Sequence, residues 1–579
     1  MKVLGISTNF HDSAVSLHID NELVADYKEE RFSRHKHHDK VNLCLEKIQE
    51  DFNFSYADPD VTITAASNYY YVQRTFLDND FRYVDNKIVD IIKETGKTVY
   101  QYDHEFCHAC AAYYSSGFFN DKTLIISFDG LGIVRPFSTI SPENYDQPYV
   151  WDNQTKNVSV YSAYRNKIEE VYHIQAGVRS FNTQDLSGAY GAFLADLYLV
   201  VTKQLGFIAN SEEGKVLGLS VKGKFNKDIY KILDKVNSSY SNLNYNMDQA
   251  HFYLKMIEKF CAENDINKNE ELRADLAYNT QLAYEDCFLR FLNDIKNKFP
   301  DHTKLCLVGG SFANVKLNQK INELTSFEEV WVYPAMGDEG IAHSSAFAHL
   351  HTNGIEIKNK RIDNIFYGAG YTQKYMDSFI NYSFEVKDFN PEYVSQILEK
   401  GFIVGVFQGR SEVGPRALGN RSILADPRKR KTHEYLNSKL QRNDIMPFAP
   451  IVMSEYISEL CYAYKSIRTS EFMTMCYTVK DHWVDKIPAA IAPEDNSCRP
   501  QTVFKERHPV LHSILNEFYK LTGVPALVNT SFNAHGDPII NHPEHAVEYL
   551  NKGIVDYLIL GNKIIKKAET DNINLSSDF

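Results

Sequence analysis

An apolar run that closes on a short polar or acidic turn occurs twice in the N-terminal half. The first is Val3-Leu-Gly-Ile-Ser7 and the second is Thr123-Leu-Ile-Ile-Ser-Phe-Asp-Gly130. Each suits a buried strand, and each is followed by looser, alternating segments. After the first come residues 13–19, a turn at Asn21 and residues 23–27. After the second, residues 158–173 suit antiparallel strands. Two halves that open with the same device predict a duplicated α/β domain.

The 579 residues exceed what one hydrophobic core usually serves, so more than one domain is expected. Residues 102–118 and 250–298 suit helices. Leu272, Leu276, Ala283, Cys287 and Phe291 share one helical stripe, read as a core face. Residues 304–308, ending in Gly309-Gly310, and 330–333, ending at Pro334, are strand-then-turn units. The pattern turns polar over residues 352–366, which sets domains of 1–360 and 361–579. In the second, residues 402–407 form a strand leading into a loop of Gly, Arg and Pro, and the residues from Thr570 onward are expected to fray.

Charge narrows the partners. A formal net charge of −13 makes the chain a poor non-specific binder of nucleic acid or membrane surfaces. The nine Cys are scattered with no legible disulfide framework. Residues 1–20 are broken by Asn9, His11, Asp12 and His18, unlike a signal peptide, and no apolar stretch approaches the ~20 residues of a membrane span. A cytoplasmic location is expected, with the oligomeric state open and a homodimer among the options.

Several local patterns carry chemistry. His104 and His108 are four apart, so on a helix they either grip one metal ion or form a packed pair. Cys107 and Cys110 are read as core thiols off that face. Asp129 and Asp338 each follow an apolar strand, where α/β folds place ligands, and would complete the set; alternatively each caps a helix or turn. Asn9-Phe-His-Asp-Ser13 joins two strands and is either a phosphate turn, with His11 as a general base, or a polar hairpin. The basic run of residues 31–38 is a solvated loop or an anion contact through Lys36. The strongest signal is the stretch 408–422, with Arg410, Arg416, Arg421 and Glu412 among glycines. Glycines let backbone amides approach an anion, and guanidinium forks hold phosphate or carboxylate.

Together these segments resemble the carbamoyltransferases typified by tobramycin O-carbamoyltransferase, with the nodulation-factor and cephem enzymes as relatives. The resemblance rests on Leu4-Gly-Ile with His11-Asp12-Ser13, Glu29-Glu-Arg-Phe32, His104 and His108, Phe128-Asp-Gly130 and Gly214-Lys-Val-Leu-Gly218. It continues through Gly309-Gly310 and Asn314, Asp338-Glu-Gly340, residues 409–422, Pro447-Phe-Ala-Pro450, Arg499 and residues 529–533. It implies a duplicated actin-like (ribonuclease H-like) ATPase domain followed by a YrdC-like α/β domain. In the second, carbamoyl phosphate and ATP would form carbamoyl-adenylate. In the first, the carbamoyl group would move to a hydroxyl of a small-molecule or natural-product acceptor. Carried over by residue, His104, His108, Asp129 and Asp338 are the metal set, iron first, with zinc or manganese as alternatives. His11 and Lys36, with Arg416 and Arg499, are the catalytic set. Asp12, Ser13, Gly130, Gly309, Gly310 and Asn314 fit the nucleotide, with Mg accompanying ATP. Arg410, Arg421, Arg442, Arg499, Asn529 and Ser531 fit the donor.

Two stretches depart from the family pattern. The family's K-x-R-E-x-x-R runs from Leu440 to Met446 here; Arg442 survives, and Lys439 is one place from the missing lysine. The family's H-V-D-G-T-x-R runs from Pro493 to Arg499, with Asp495 and Arg499 retained. Charge-assisted contacts contribute about 1.5–3 kcal/mol each, so the lost cations matter. An ATP-dependent ligase that activates another acid or carbamoyl-like donor is therefore the alternative, and a non-catalytic nucleotide-binding partner a third reading.

Overall fold

The computed structural model describes residues 1–8, 12–38, 40–55, 57–65, 86–133, 138–143, 155–176, 194–209, 211–358, 360–442, 447–462, 465 and 468–568. His11, Met446 and the residues from Thr570 onward lie outside them. The chain divides into two compact units. Unit 1 is Met1–Glu29 with His37–Ile362; unit 2 is Glu30–Lys36 with Asp363–Phe579.

Unit 1 holds two sheets with one plan. In the first, β1 (Lys2–Ser7), β2 (Ala14–Ile19) and β3 (Glu22–Lys28) form an antiparallel meander, and β4 (Val61–Ala65) and β5 (Val99–Tyr102) extend it in parallel on the other side of β1. In the second, β6 (Thr123–Ile133) pairs antiparallel with β8 (Thr155–Tyr164), which pairs with β9 (Lys167–Ala176). On the other side β12 (Lys304–Val308) and β13 (Glu329–Val332) run parallel to β6. Both sheets therefore read third-second-first-fourth-fifth in strand order. β7 (Ser138–Ile140) adds an edge to the first sheet, and β10 (Tyr240–Ser241) with β11 (Asn244–Tyr245) makes a small ribbon. This repeated order is the duplicated actin-like arrangement. The meander strands have buried, mostly apolar residues because helices cover them. The Ile341–Thr352 helix presses so closely on β1 that a Cβ at Gly5 would stand 2.1 Å from the Ala342 carbonyl oxygen. Phe128 of β6 stacks on Phe288 of the Glu270–Lys298 helix, with ring centres 5.6 Å apart.

Unit 2 is a mixed α/β body. Its strands are β14 (Phe384–Asp388), β15 (Val404–Phe407), β16 (Arg421–Ala425), β17 (Ala449–Met453), β18 (Tyr477–Thr478), β19 (Ser497–Cys498), β20 (Gln501–Val503), β21 (Ala526–Ser531), β22 (Tyr557–Leu560) and β23 (Lys563–Lys567). Eight of them form one sheet in the order β14-β23-β22-β15-β16-β21-β17-β20. Phe407, Ile423, Leu440, Phe532 and Leu558 belong to its buried apolar core. Among the described residues, no helix is long and apolar enough to cross a membrane.

Candidate functional site

In unit 1, β5 ends where the His104–Ser116 helix begins. Asp103 caps that helix by accepting the Phe106 N–H at 2.9 Å. The four-residue spacing puts His104 and His108 on one face, their Nε2 atoms 3.2 Å apart. Asp129 comes from β6, where pairing with β8 slips between Phe128 and Gly132. The bulge turns its carboxylate to the imidazoles, and the Asn157 side-chain amide holds the Asp129 carbonyl at 2.6 Å. Asp338 opens the short turn before the Ile341–Thr352 helix. Its Oδ1 lies 3.1 Å from His104 Nε2 and 3.5 Å from His108 Nε2; Asp129 Oδ2 lies 3.5 and 3.4 Å from the same two atoms.

One donor atom from each of the four side chains lies within 4.8 Å of the others. Two nitrogens and two carboxylate oxygens converging on one point suit a divalent cation, and the donor set fits iron, zinc or manganese. Without an ion the four groups neutralise one another. Burial alone would lower both imidazoles, but the carboxylates reverse this, holding His104 well above its ordinary value and His108 at about 9. Burial would raise both carboxyls, yet Asp129 lies well below the usual range and Asp338 below it, held there chiefly by the two imidazoles. Cys107 and Cys110 are buried free thiols outside this cluster.

The ends of the Asp338 loop are tied together. Tyr333 O–H bonds His343 Nε2, and His343 Nδ1 bonds the buried Asp26 carboxylate of β3. Gly309 closes the other side: its φ of +102° and the 2.3 Å between a would-be Cβ and the Phe128 carbonyl oxygen leave no room for a side chain. A Cβ at Gly310 would lie 3.2 Å from Asp129 Oδ1. Asn314, further on, caps the Val315–Leu324 helix by accepting Leu317 N–H at 3.0 Å and donates to Gln281 Oε1. Gly130 sits within the bulge of β6. Asp12 has a φ of +61°; its carboxylate faces Lys28 Nζ at 3.6 Å and His37 Nδ1 at 3.3 Å. Ser13 N–H donates to the His38 carbonyl. Burial raises the Glu339 carboxyl against the pull of Lys28.

In unit 2 the arginines separate by what they touch. Arg421 is fully buried over the Phe407 ring and gives its Nη1 and Nη2 atoms to the carbonyls of Gln408, Asn420, Ala369 and Gly409 at 2.6–3.3 Å. Burial pulls its pKa down to about 10. Arg410 donates to the Gly368 and Tyr367 carbonyls at 2.8 and 2.5 Å. Arg442 reaches Thr530 Oγ1 at 3.0 Å, and burial and then Arg499 lower it. Arg499, also lowered by burial, has no hydrogen-bond or ion-pair partner among the described residues. Arg416 is partly buried and Lys36 is exposed. Asn529 spans the Ala417 carbonyl and Gln501 Oε1, and Ser531 ends β21 opposite Ser422. Leu440 is core, and Lys439 donates to the Gly553 carbonyl at 2.6 Å.

The pattern of arginines and glycines includes Glu412 but does not reveal its role. Its Oε1 accepts the N–H groups of Leu418, Asn420 and Arg421 at 2.7, 2.8 and 3.2 Å. It is the post around which the arginine loop is wound. Asn157 and the Asp26–His343–Tyr333 chain were equally silent in sequence.

Residues 45–347 match the family profile described as carbamoyltransferase N-terminus, and residues 395–567 match carbamoyltransferase C-terminus. An uncharacterized protein of Methanocaldococcus jannaschii is 30% identical, covering 95% of this chain and 87% of its own length. Nodulation protein NolNO of Sinorhizobium fredii is 26% identical, covering 97% and 80%. Nodulation protein U of Azorhizobium caulinodans is 34% identical over 40% of each chain. Among solved structures, full-length HypF in a phosphate- and nucleotide-bound form matches 61% of this chain and 56% of its own, at 14% identity and a TM-score of 0.33.

Proposed function

This chain belongs to the carbamoyltransferase family, and from that premise we propose that it is an ATP-dependent O-carbamoyltransferase acting through carbamoyl-adenylate. Carbamoyl phosphate and water give carbamate and phosphate. A carbamate oxygen attacks the α-phosphorus of ATP, and pyrophosphate leaves. The acceptor hydroxyl then attacks the carbamoyl carbon, and AMP leaves. The adenylate makes a sluggish carbonyl reactive by supplying a good leaving group.

The observation that carries this reading is Arg499, a guanidinium without a partner among the described residues, close enough to Arg442 for the charges to oppose. An anionic donor relieves that opposition. Arg416, Arg442 and Arg499 are its contacts, neutralising phosphate and departing pyrophosphate. Arg410 and Arg421 brace the loop from behind. In unit 1, Gly310 leaves backbone open beside Asp129 for a nucleotide phosphate, Gly309 packs the turn against Phe128 behind it, and Asp12 and Ser13 lie on the β1–β2 turn. His104, His108, Asp129 and Asp338 would hold the divalent ion, which would supply Lewis-acid stabilisation of developing oxyanion charge. The acceptor proton is assigned to His11 by the resemblance. Purified protein given carbamoyl phosphate, ATP and Mg²⁺ is expected to release pyrophosphate and accumulate carbamoyl-adenylate. Absence of both products would sink the proposal.

A second reading has one observation of its own. Leu440 is buried and Lys439 is bonded to a carbonyl, so Lys439 does not take the place of the cation missing at 440. On this reading the donor is a different acid, and the product an amide or amidine. Pyrophosphate exchange with other acids but not carbamoyl phosphate would select it.

A further inference from the structure

We propose that Arg31 is a positioning residue for donor activation: it anchors the turn that presents Arg416. The inference rests on the adenylation reading and deepens it. Residues 37–362 separate Glu30–Lys36 from the rest of unit 2, yet the segment is part of that unit. Arg31 is only 3% exposed, and its Nη2 donates to the Gly414 carbonyl at 3.0 Å. Arg34 fixes the same segment by donating to the Ile539 carbonyl at 2.9 Å.

The arginine loop explains why an outside donor matters. Its later limb is held from within. Glu412 takes the N–H groups of Leu418, Asn420 and Arg421, and the Gln501 and Asn529 amides take the Leu418 and Ala417 carbonyls. Gly414 precedes these residues, at a φ of +93°. Pro415 has no N–H with which to tie the turn. Arg31 supplies a charged donor there, two residues from Arg416. It also lies close enough to Arg421 for the two guanidinium charges to oppose one another.

Full-length Arg31→Met and Arg31→Lys are compared with wild type by ATP–pyrophosphate exchange at varied carbamoyl phosphate. Displacing a catalytic group by about 1 Å costs ~10²-fold, so Arg31→Met is expected to lose about that factor in kcat/KM for carbamoyl phosphate. Arg31→Lys keeps a donor and is expected to recover part of the loss. Amide hydrogen exchange is expected to rise over residues 409–416 in Arg31→Met, with residues 526–531 and metal content unchanged. Wild-type kinetics and unaltered protection of that turn in both variants would overturn the proposal. Absence of exchange activity in wild type defeats the adenylation reading instead, and the protection measurement still decides whether Arg31 anchors the turn.

Discussion

The two charged sites solve opposite problems. In unit 1, two imidazoles and two carboxylates bring opposite charges together, a donor set suited to a cation. In unit 2, Arg442 and Arg499 come close enough for their charges to oppose one another. Glu412 is turned to backbone N–H groups, and Arg499 stands without a partner among the described residues. The difference teaches that residue type alone does not assign a role. Arg410 and Arg421 are spent on carbonyls, while Arg442 and Arg499 crowd each other.

The sharpest test is reciprocal. Arg499→Gln is expected to reduce pyrophosphate release by ~10²–10³-fold while metal content stays at the wild-type level. His108→Ala is expected to abolish metal retention, measured by elemental analysis, with pyrophosphate release preserved. Coupled losses in either variant would break the comparison. Next, Arg421→Met strands four carbonyls around a buried site and should destabilise unit 2 by about 3–5 kcal/mol in denaturant unfolding. An unchanged midpoint would return Arg421 to the anion contacts. Asn157→Ala frees the Asp129 carbonyl and should weaken metal binding by ~10–100-fold in chelator competition.

The smallest effect concerns pH. Burial lowers His18 of unit 1 to about 3 and His508 of unit 2 to about 4. Each is neutral when folded and takes up a proton on unfolding below about pH 6.5. Units 1 and 2 should therefore lose stability as pH falls from that value toward 3 and 4 respectively. Thermal melts of His18→Gln and His508→Gln should show a shallower acid slope. A slope equal to wild type would remove the histidine concerned from the account.

Much of unit 1 is legible in sequence because its signals are local. Residues 3–7 and 123–130 are apolar runs that announce β1 and β6, and a four-residue histidine spacing announces a shared helix face. Residues 250–298 read as helical, but the structure divides them into Met247–Glu263 and Glu270–Lys298, since Asn264 and Asn269 serve as C-cap and N-cap. Leu272, placed on the core stripe, is only partly buried, lying in the first turn of the second helix. What stays hidden depends on long-range contact. Nothing in the run 31–38 says that Arg31 meets Gly414, or that Asp26 meets His343. Arg421 differs from Arg499 only through the carbonyls that the fold brings to it.

The early segment Glu30–Lys36 carries a consequence for biosynthesis. It leaves the ribosome long before Gly414 and Ile539 exist, so its two arginine anchors wait through the translation of all of unit 1. Its docking is thereby a late event in maturation, and a nascent chain halted near residue 362 carries a basic strip with nowhere to settle.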